Sequence, residues 1–277
     1  MRREKKEKIK ETIVEKKEQG NNFLGIKLGP DMPFYAALVL SVALYVFTKN
    51  QLFGALVFVL LIYLFLKDAL PKKYDAKEIK HSVFELLIAF VAALAAWMLL
   101  GFFLQTPTPI DVVTSCSMLP NLERGDMIII QGGNVNAEEI AVTSPQLKFI
   151  RQDCKIRNLK TKEETPAVCT AGVSVDGKSY FFNESGDIIV YEPKSAGDLG
   201  LIVHRAMMKM KYNGKTYYIT KGDNNVIADV EGIIPMPPTD NDVKGKMIAR
   251  IPYVGYLKLF LFGQFAEPEG CGRNVIS

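Results

Sequence analysis

The order of apolar and polar positions divides the chain into three parts. A charged stretch comes first, an apolar stretch runs from Pro33 to Leu104, and a region of short apolar runs follows. The segment from Leu86 to Leu104 contains no charged residue and is close to the roughly 20 residues that a helix needs to span hydrocarbon. The pattern therefore predicts a membrane anchor followed by a globular domain.

Two shorter apolar runs precede that segment and are separated by a short polar turn. We predict helices over about 33–48 and 51–67 and a longer span over about 84–104, so that the transmembrane region covers 31–105. The shorter runs fit either two full spans or a hairpin that dips into one leaflet. Both alternatives return the chain to its starting side.

Positive charge indicates the orientation of the anchor. Lysine and arginine cluster in residues 1–30 and in the loop before the last span, whereas the turn between the first two runs has Lys49 alone. Because cytoplasmic loops carry an excess of Lys and Arg, both basic segments are expected to be cytoplasmic. We therefore expect a multi-pass protein of the plasma membrane, with a cytoplasmic charged arm and an extracytoplasmic domain after Gln105.

Beyond Pro109 the apolar runs are short and rich in Val, Ile and Tyr. Asp-Gly at 176–177 and Asn-Gly at 213–214 lie between alternating stretches, which is the strongest short signal for a hairpin. These patterns predict a mostly antiparallel β domain over 106–264, and leave 265–277 as a C-terminal tail. Near the end of this domain, the run "IPYVGYLKLFLF" predicts a segment resting in the membrane interface, with a core strand over its first half as the alternative.

Candidate chemistry lies in the β domain. Ser117 follows the last span in a Ser-x-Ser-Met-x-Pro turn, and the domain contains one histidine, His204. A serine hydroxyl is a poor nucleophile unless a neighbouring base takes its proton. A carboxylate from Asp223 or Asp229 would fix the tautomer of such a base. Each of these residues alone also fits a structural role in a turn or a core strand.

Five motifs in the β domain follow one another behind the anchor. They are Ser115-x-Ser117-Met118-x-Pro120 with Arg124-Gly125-Asp126, Gly186-Asp187-Ile188-Ile189-Val190-Tyr191, Val203-His204-Arg205, Lys221-Gly222-Asp223-Asn224-Asn225-x-x-x-Asp229, and Pro252-Tyr253-Val254-Gly255. Together they resemble the type I signal peptidases, specifically the archaeal and endoplasmic-reticulum branch. The match covers roughly Val112 to Phe260, apart from one insertion.

The resemblance implies a membrane-bound serine endopeptidase that removes N-terminal signal peptides from secreted preproteins after small residues. Carried over by position, Ser117 is the nucleophile, His204 the general base and Asp229 the catalytic aspartate. Asp223 matches a supporting acidic position, and the Ser115 hydroxyl would contribute to an oxyanion hole by analogy with the bacterial branch. The resemblance implies no cofactor. The implied partners are secretory preproteins and the lipid bilayer, with the export translocon as a further candidate.

Two features depart from the family pattern. Cys116 stands beside the nucleophile at a position usually filled by another residue, and we expect a thiol there. An insertion over about 134–185 contains Cys154 and Cys169, which fit either a disulfide or two unpaired thiols.

Two other functions stay open. One is a related membrane peptidase whose substrates are not signal peptides; the other is a catalytically silent subunit that binds preproteins. The formal net charge of +4 is modest and much of the positive charge lies beside the apolar segments, so no nucleic-acid partner is expected. With two histidines and no Cys-x-x-Cys pair, no zinc site is expected either.

Overall fold

The structure is a computed structural model that describes residues 22–23, 26–27, 31–48, 50–69, 76–194, 197, 199–268 and 270–276. The chain divides into two compact units, with the boundary after Glu78. The predicted charged arm at 1–30 lies outside the described residues, except for two short antiparallel strands, β1 (Asn22–Phe23) and β2 (Ile26–Lys27).

The first unit contains two apolar helices, α1 (Met32–Thr48) and α2 (Gln51–Ala69), close to the bounds predicted from the sequence. Asn50 begins α2, because its side-chain oxygen accepts the backbone N–H of Leu52 over 2.9 Å. Phe34 and Tyr63 bring the two helices together, with ring centroids 4.7 Å apart. Their apolar parts, Met32–Thr48 and Gln51–Lys67, fall in a shorter class than the third helix and lie at the lower end of the length range of membrane spans.

The third helix is α3 (Ala76–Leu104). Among the described residues it is the one helix long and apolar enough to cross a membrane, over the 26 residues Ile79–Leu104. Its apolar side chains are exposed around the whole helix, since 0% of this window is buried. A helix that is apolar on every face needs an apolar surrounding, which a bilayer supplies.

The end of α3 is bonded directly to the domain that follows. Gly132 donates its backbone N–H to the Leu104 carbonyl over 2.8 Å, and the buried Thr106 donates its hydroxyl to the Lys244 carbonyl over 2.7 Å. A Cβ at Gly132 would collide with the Gln105 carbonyl, so only glycine lets these two chain segments approach so closely. The exit of the helix is thereby fixed to the β domain.

The predicted mostly antiparallel β domain is confirmed. In chain order its strands are β3 (Ile110–Val112), β4 (Met127–Gln131), β5 (Glu139–Ala141), β6 (Lys148–Asn158), β7 (Glu164–Val175), β8 (Lys178–Phe181), β9 (Ile188–Tyr191), β10 (Ile202–Tyr212), β11 (Lys215–Lys221), β12 (Val243–Ile251) and β13 (Arg273–Ile276). The main sheet has the spatial order β11-β10-β9-β12-β4-β3, with β5 pairing in parallel to β10. The predicted Asn-Gly turn at 213–214 joins β10 to β11.

The insertion predicted over 134–185 supplies β5 to the main sheet and most of a second sheet, which has the order β13-β6-β7-β8. The predicted Asp-Gly turn at 176–177 joins β7 to β8. A disulfide between Cys154 and Cys169 links β6 to β7, which decides between the two alternatives for these cysteines. The segment expected to form a tail, 265–277, contributes β13, which pairs with β6.

Buried apolar side chains hold the two sheets together. Val173 and Val175 of β7 pack against Met208 and Met210 of β10 and against Ile219 of β11. Since neighbouring sheets that share such a cluster exclude water between them, the insertion is part of the core of the domain and is more than a surface elaboration.

The core strand considered for the first half of "IPYVGYLKLFLF" is wrong. β12 ends at Ile251, because Pro252 has no N–H for a ladder and Tyr253 adopts a positive φ of 66°. The chain then turns into a short helix, α4 (Tyr256–Leu261). The buried side chains of α4 are Tyr256, Leu259 and Phe260, and its exposed apolar ones are Leu257 and Leu261.

We expect Gly132→Ala to lower the free energy of unfolding by about 2 kcal/mol, because the new Cβ would push the Gln105 carbonyl away from the helix exit. Gly272→Ala is the matched control, since a Cβ at Gly272 meets nothing within 4 Å. Thermal unfolding of both full-length variants in detergent checks this. Equal midpoints would contradict a fixed helix exit.

Candidate active site

Ser117 lies in the loop between β3 and β4, and the residues around it hold this loop in place. Met118 and Leu122 are buried in an apolar cluster beneath the loop. Gly125 returns the chain to the sheet by donating its N–H to the Val113 carbonyl over 2.9 Å, with a φ of +90° that favours glycine. The serine hydroxyl is therefore carried on a loop that is anchored on both sides.

The Arg-Gly-Asp motif after this turn has a structural role. Arg124 is buried and donates to the carbonyls of Thr114 and Gln264 over 3.2 and 2.5 Å. Asp126 is also buried, and its carboxylate accepts the backbone N–H of Glu123 over 2.9 Å. The two bonds from Arg124 tie the loop to the segment that follows α4.

The imidazole of His204 connects Ser117 to Asp229. Its Nε2 lies 2.9 Å from the Ser117 Oγ, and its Nδ1 lies 2.7 Å from the Asp229 Oδ2. His204 and Asp229 are only 4% and 0% exposed, so the contact between them is shielded from bulk water. With Nδ1 donating to the carboxylate, Nε2 is the atom that can accept the serine proton. The structure thus brings these three predicted residues into one hydrogen-bonded chain.

The pairing register of the main sheet explains this geometry. His204 on β10, Tyr191 on β9 and Thr220 on β11 occupy positions whose side chains point to the same face of the sheet. Asp229 begins a short 3₁₀ turn, Asp229–Glu231, and its carboxylate reaches this face to contact both the tyrosine and the histidine.

Tyr191 is a site residue that the sequence did not reveal. Its hydroxyl donates to Asp229 Oδ2 over 2.7 Å and accepts a hydrogen bond from the Thr220 hydroxyl over 3.1 Å. Burial raises the pKa of Tyr191, and the negative charge of Asp229 raises it further, so the tyrosine stays protonated as a donor. The residue ends one of the five motifs, but the pattern alone does not separate it from an ordinary buried tyrosine.

Asp223 does not contact His204. Its carboxylate accepts two hydrogen bonds from the Arg205 guanidinium, over 2.9 and 2.7 Å, and one from the Asn121 amide over 2.7 Å. Arg205 follows the histidine on β10 and points to the opposite face, whereas Asn121 belongs to the loop that carries Ser117. Of the two carboxylates considered for the histidine, Asp229 is the one in contact with it, and Asp223 joins the loop to the sheet.

The two residues before Ser117 are Ser115 and Cys116. The Ser115 Oγ lies 3.2 Å from the Ser117 Oγ, within hydrogen-bond distance. The thiol expected at Cys116 is wrong, because Cys116 forms a disulfide with Cys271. The two cysteines are 155 positions apart, and no local pattern in the sequence indicates that they pair.

A groove of about 520 Å³ opens at Ser117 and His204. The apolar residues that line it include Val112, Val113, Met118, Leu201, Val203 and Ile233. β3 lines one wall and is the edge strand of the main sheet, where among the described strands it pairs with β4 alone. An edge strand beside an apolar groove can pair with an extended peptide.

The arrangement can attack a carbonyl carbon. A serine oxygen, an imidazole that takes its proton and a carboxylate behind the ring perform acyl transfer on several unrelated folds.

Known proteins are similar to more than half of this chain. An uncharacterised protein of Methanocaldococcus jannaschii is 29% identical over 180 residues, which are 55% of this chain and 83% of that protein. The signal peptidase complex catalytic subunit sec11 of Schizosaccharomyces pombe is 28% identical over 194 residues, which are 69% of this chain and 86% of that subunit. The corresponding subunit of Neurospora crassa is 28% identical over 171 residues, 61% of this chain and 73% of that subunit.

The chain is related to the type I signal peptidases. The resemblance to the archaeal and endoplasmic-reticulum branch of these peptidases, predicted from five motifs, is thereby confirmed. No family model matches the chain.

We expect Tyr191→Phe to lower the rate at which a fluorophosphonate labels Ser117 by about tenfold, because Asp229 loses one of its two donors. Tyr218→Phe is the matched control, since Tyr218 is also buried and donates to a carboxylate, that of Asp240, over 2.7 Å. Both variants should lose roughly 1–2 kcal/mol of stability. Equal labelling rates in the two variants would remove Tyr191 from the site.

Proposed function

We propose that this protein is a membrane-bound serine endopeptidase that removes N-terminal signal peptides from secreted preproteins after small residues. The observation that carries the proposal is the hydrogen-bonded chain from Ser117 through His204 to Asp229 at the end of an apolar groove. The relationship to catalytic subunits of signal peptidase complexes supports the class of substrate.

In the proposed mechanism, Ser117 attacks the carbonyl carbon of the scissile bond and its proton passes to His204 Nε2. Asp229 stabilises the imidazolium, which then gives the proton to the leaving amine, and water hydrolyses the acyl-enzyme by the same route. The Ser115 hydroxyl, 3.2 Å from the nucleophile, donates to the oxyanion. Loss of one such donor typically costs about 3 kcal/mol of transition-state stabilisation.

The groove supports an extended substrate. A peptide that pairs with the edge of β3 would run past Ser117 with its apolar side chains against the lining of the groove. Signal peptides fit this mode, because an apolar stretch leads to a short cleavage segment of small residues. The secretory preprotein is therefore the partner that we assign to this groove.

We propose that the domain over 106–264 faces the outside of the plasma membrane and that the anchor over 31–105 is multi-pass with a cytoplasmic N-terminal arm. The apolar helix α3 and the basic residues that precede it support this orientation. The two disulfides support it independently, since disulfides persist in oxidising compartments. Within this proposal, α1 and α2 are either two full spans or a hairpin that dips into one leaflet.

The fixed helix exit supports a position of Ser117 close to the membrane surface. The backbone bond between Gly132 and Leu104 holds the end of α3 against the domain, and Ser117 follows a short distance along the chain. The cleavage site of a signal peptide lies near the membrane surface. A serine held close to that surface can therefore reach the scissile bond. Exposed Leu257, Leu261 and Phe262 support contact of the same domain with lipid.

Ser117→Ala, His204→Ala and Asp229→Asn should each lower kcat/KM for cleavage of a labelled preprotein by about a thousandfold or more, because each breaks the path of the proton. Ser185→Ala is the control, since Ser185 is an exposed loop serine. The assay uses the full-length protein in detergent. Cleavage that survives His204→Ala would overturn the proposed base.

The same assay separates the alternatives. Cleavage that tolerates bulky residues before the scissile bond would favour a peptidase with other substrates. A wild-type protein that binds preprotein but neither cleaves it nor reacts with a fluorophosphonate would favour a catalytically silent subunit.

Cleavage should fall on the acid side with the uptake of one proton, because a protonated His204 cannot accept the serine proton. No alkaline loss is expected from Tyr191, since burial raises the pKa of its hydroxyl above the ordinary value. The profile of kcat/KM against pH, compared with that of Tyr191→Phe, checks both statements. If the wild-type protein loses activity at alkaline pH and Tyr191→Phe does not, the statement about Tyr191 is wrong.

A further inference from the structure

The residue immediately before the nucleophile is joined to a distant segment of the chain. The disulfide between Cys116 and Cys271 connects the Ser117 loop to residues 270–276, which we call the strap. The strap includes β13, which pairs with β6 of the second sheet. The proposed chemistry uses neither the disulfide nor the strap, so their position beside the nucleophile needs a separate explanation.

A buried side chain makes a second connection between the same two segments. Asn224 is 3% exposed, and its amide donates to the Cys116 carbonyl over 2.9 Å and to the Arg273 carbonyl over 3.0 Å. Its side-chain oxygen accepts the backbone N–H of Val275 over 2.8 Å. Its own backbone N–H donates to the Ser117 carbonyl over 2.7 Å. Asn224 thus bonds to both segments. Its backbone N–H and its side-chain amide donate to the loop that carries Ser117, and its side-chain amide and side-chain oxygen both bond to the strap.

These contacts act on the backbone of the nucleophile itself. The carbonyls of Cys116 and Ser117 both accept hydrogen bonds from Asn224, so the peptide units on each side of the serine are held. The Ser117 Oγ lies 2.9 Å from His204 Nε2, and a displacement of about 1 Å in such a site can lower the rate about a hundredfold. A buried amide with its donors and its acceptor engaged fixes a backbone more firmly than exposed contacts do.

We propose that the strap, through the Cys116–Cys271 disulfide and Asn224, positions Ser117 for attack, and that Asn224 is a positioning residue of the reaction. The inference rests on the proposed function for its consequence in turnover. It also assigns a task to the second sheet, which holds the strap through β13. Because the strap acts on the nucleophile and lines none of the groove, its loss affects kcat and leaves KM nearly unchanged.

The first test removes each disulfide in turn from the full-length protein. Cys116→Ser with Cys271→Ser should lower kcat about 10- to 100-fold, with KM within about twofold of the wild-type value. Cys154→Ser with Cys169→Ser is the matched control: it removes a disulfide between neighbouring strands of the second sheet and should leave kcat within about twofold. The first disulfide closes the longer loop and its loss lowers stability more, so rates are compared well below both unfolding midpoints.

The second test changes Asn224 alone and keeps both disulfides. Asn224→Asp retains an oxygen for the Val275 N–H but loses the amide donors to the Cys116 and Arg273 carbonyls. We expect its kcat to fall about tenfold, with KM unchanged. This variant decides the question if the double serine variant fails to fold.

Fluorophosphonate labelling of Ser117 separates a failure of this inference from a failure of the proposed function. Labelling needs no preprotein, and both strap variants should slow it by factors similar to their losses in kcat. If the wild-type protein is labelled but cleaves no preprotein, the proposed function is wrong. The labelling rates of the strap variants would then still test whether the strap positions Ser117. Strap variants that label and cleave at the wild-type rate, or that lose activity only as much as the control pair does, would overturn the inference.

Discussion

The contact between the Asp229 carboxylate and the His204 ring is the interaction on which the rest of the site depends. Asp229 is fully buried, and within the described part of the chain its Oδ2 takes both hydrogen bonds while its Oδ1 takes none. A buried carboxylate with so few donors is costly in free energy, and a positive charge on the adjacent ring would compensate it. The carboxylate therefore lies where it can stabilise the positive charge that would develop on the ring as the serine loses its proton, as the proposed mechanism requires.

The scaffold makes this contact rigid, whereas the proposed nucleophile, Ser117, lies on a loop. His204 and Tyr191 are on paired strands of the main sheet, so their relative positions follow from backbone register. Ser117 is on a loop whose geometry depends on Met118 and Leu122 beneath it and on the strap beside it. A reactive group on a loop requires such support, because loops have fewer backbone bonds of their own.

The parts of the structure that depend on local chemistry were predictable from the sequence. The turns at 176–177 and 213–214 require residues that tolerate positive φ, and Asp-Gly and Asn-Gly supply them. The residue pattern alone did not separate Asp229 from Asp223, because the difference depends on how the chain after β11 folds back over the sheet, and only the family resemblance singled out Asp229. The partner of Cys116 depends likewise on a contact across 155 positions. The helix α4 was missed because six apolar-rich residues after a strand fit either kind of element.

The segment that follows β11 explains why so many of the critical residues lie within a few positions. Asp223 binds Arg205 on one face of β10, whereas Asp229 binds His204 on the other, since neighbouring side chains of a strand point to opposite faces. Between them, Asn224 donates to the Ser117 carbonyl. Gly222 permits this approach, because a Cβ there would lie 2.6 Å from the same carbonyl. One segment thus sets His204, the strand that carries it and Ser117 relative to one another, so a shift of this segment would misplace all three at once.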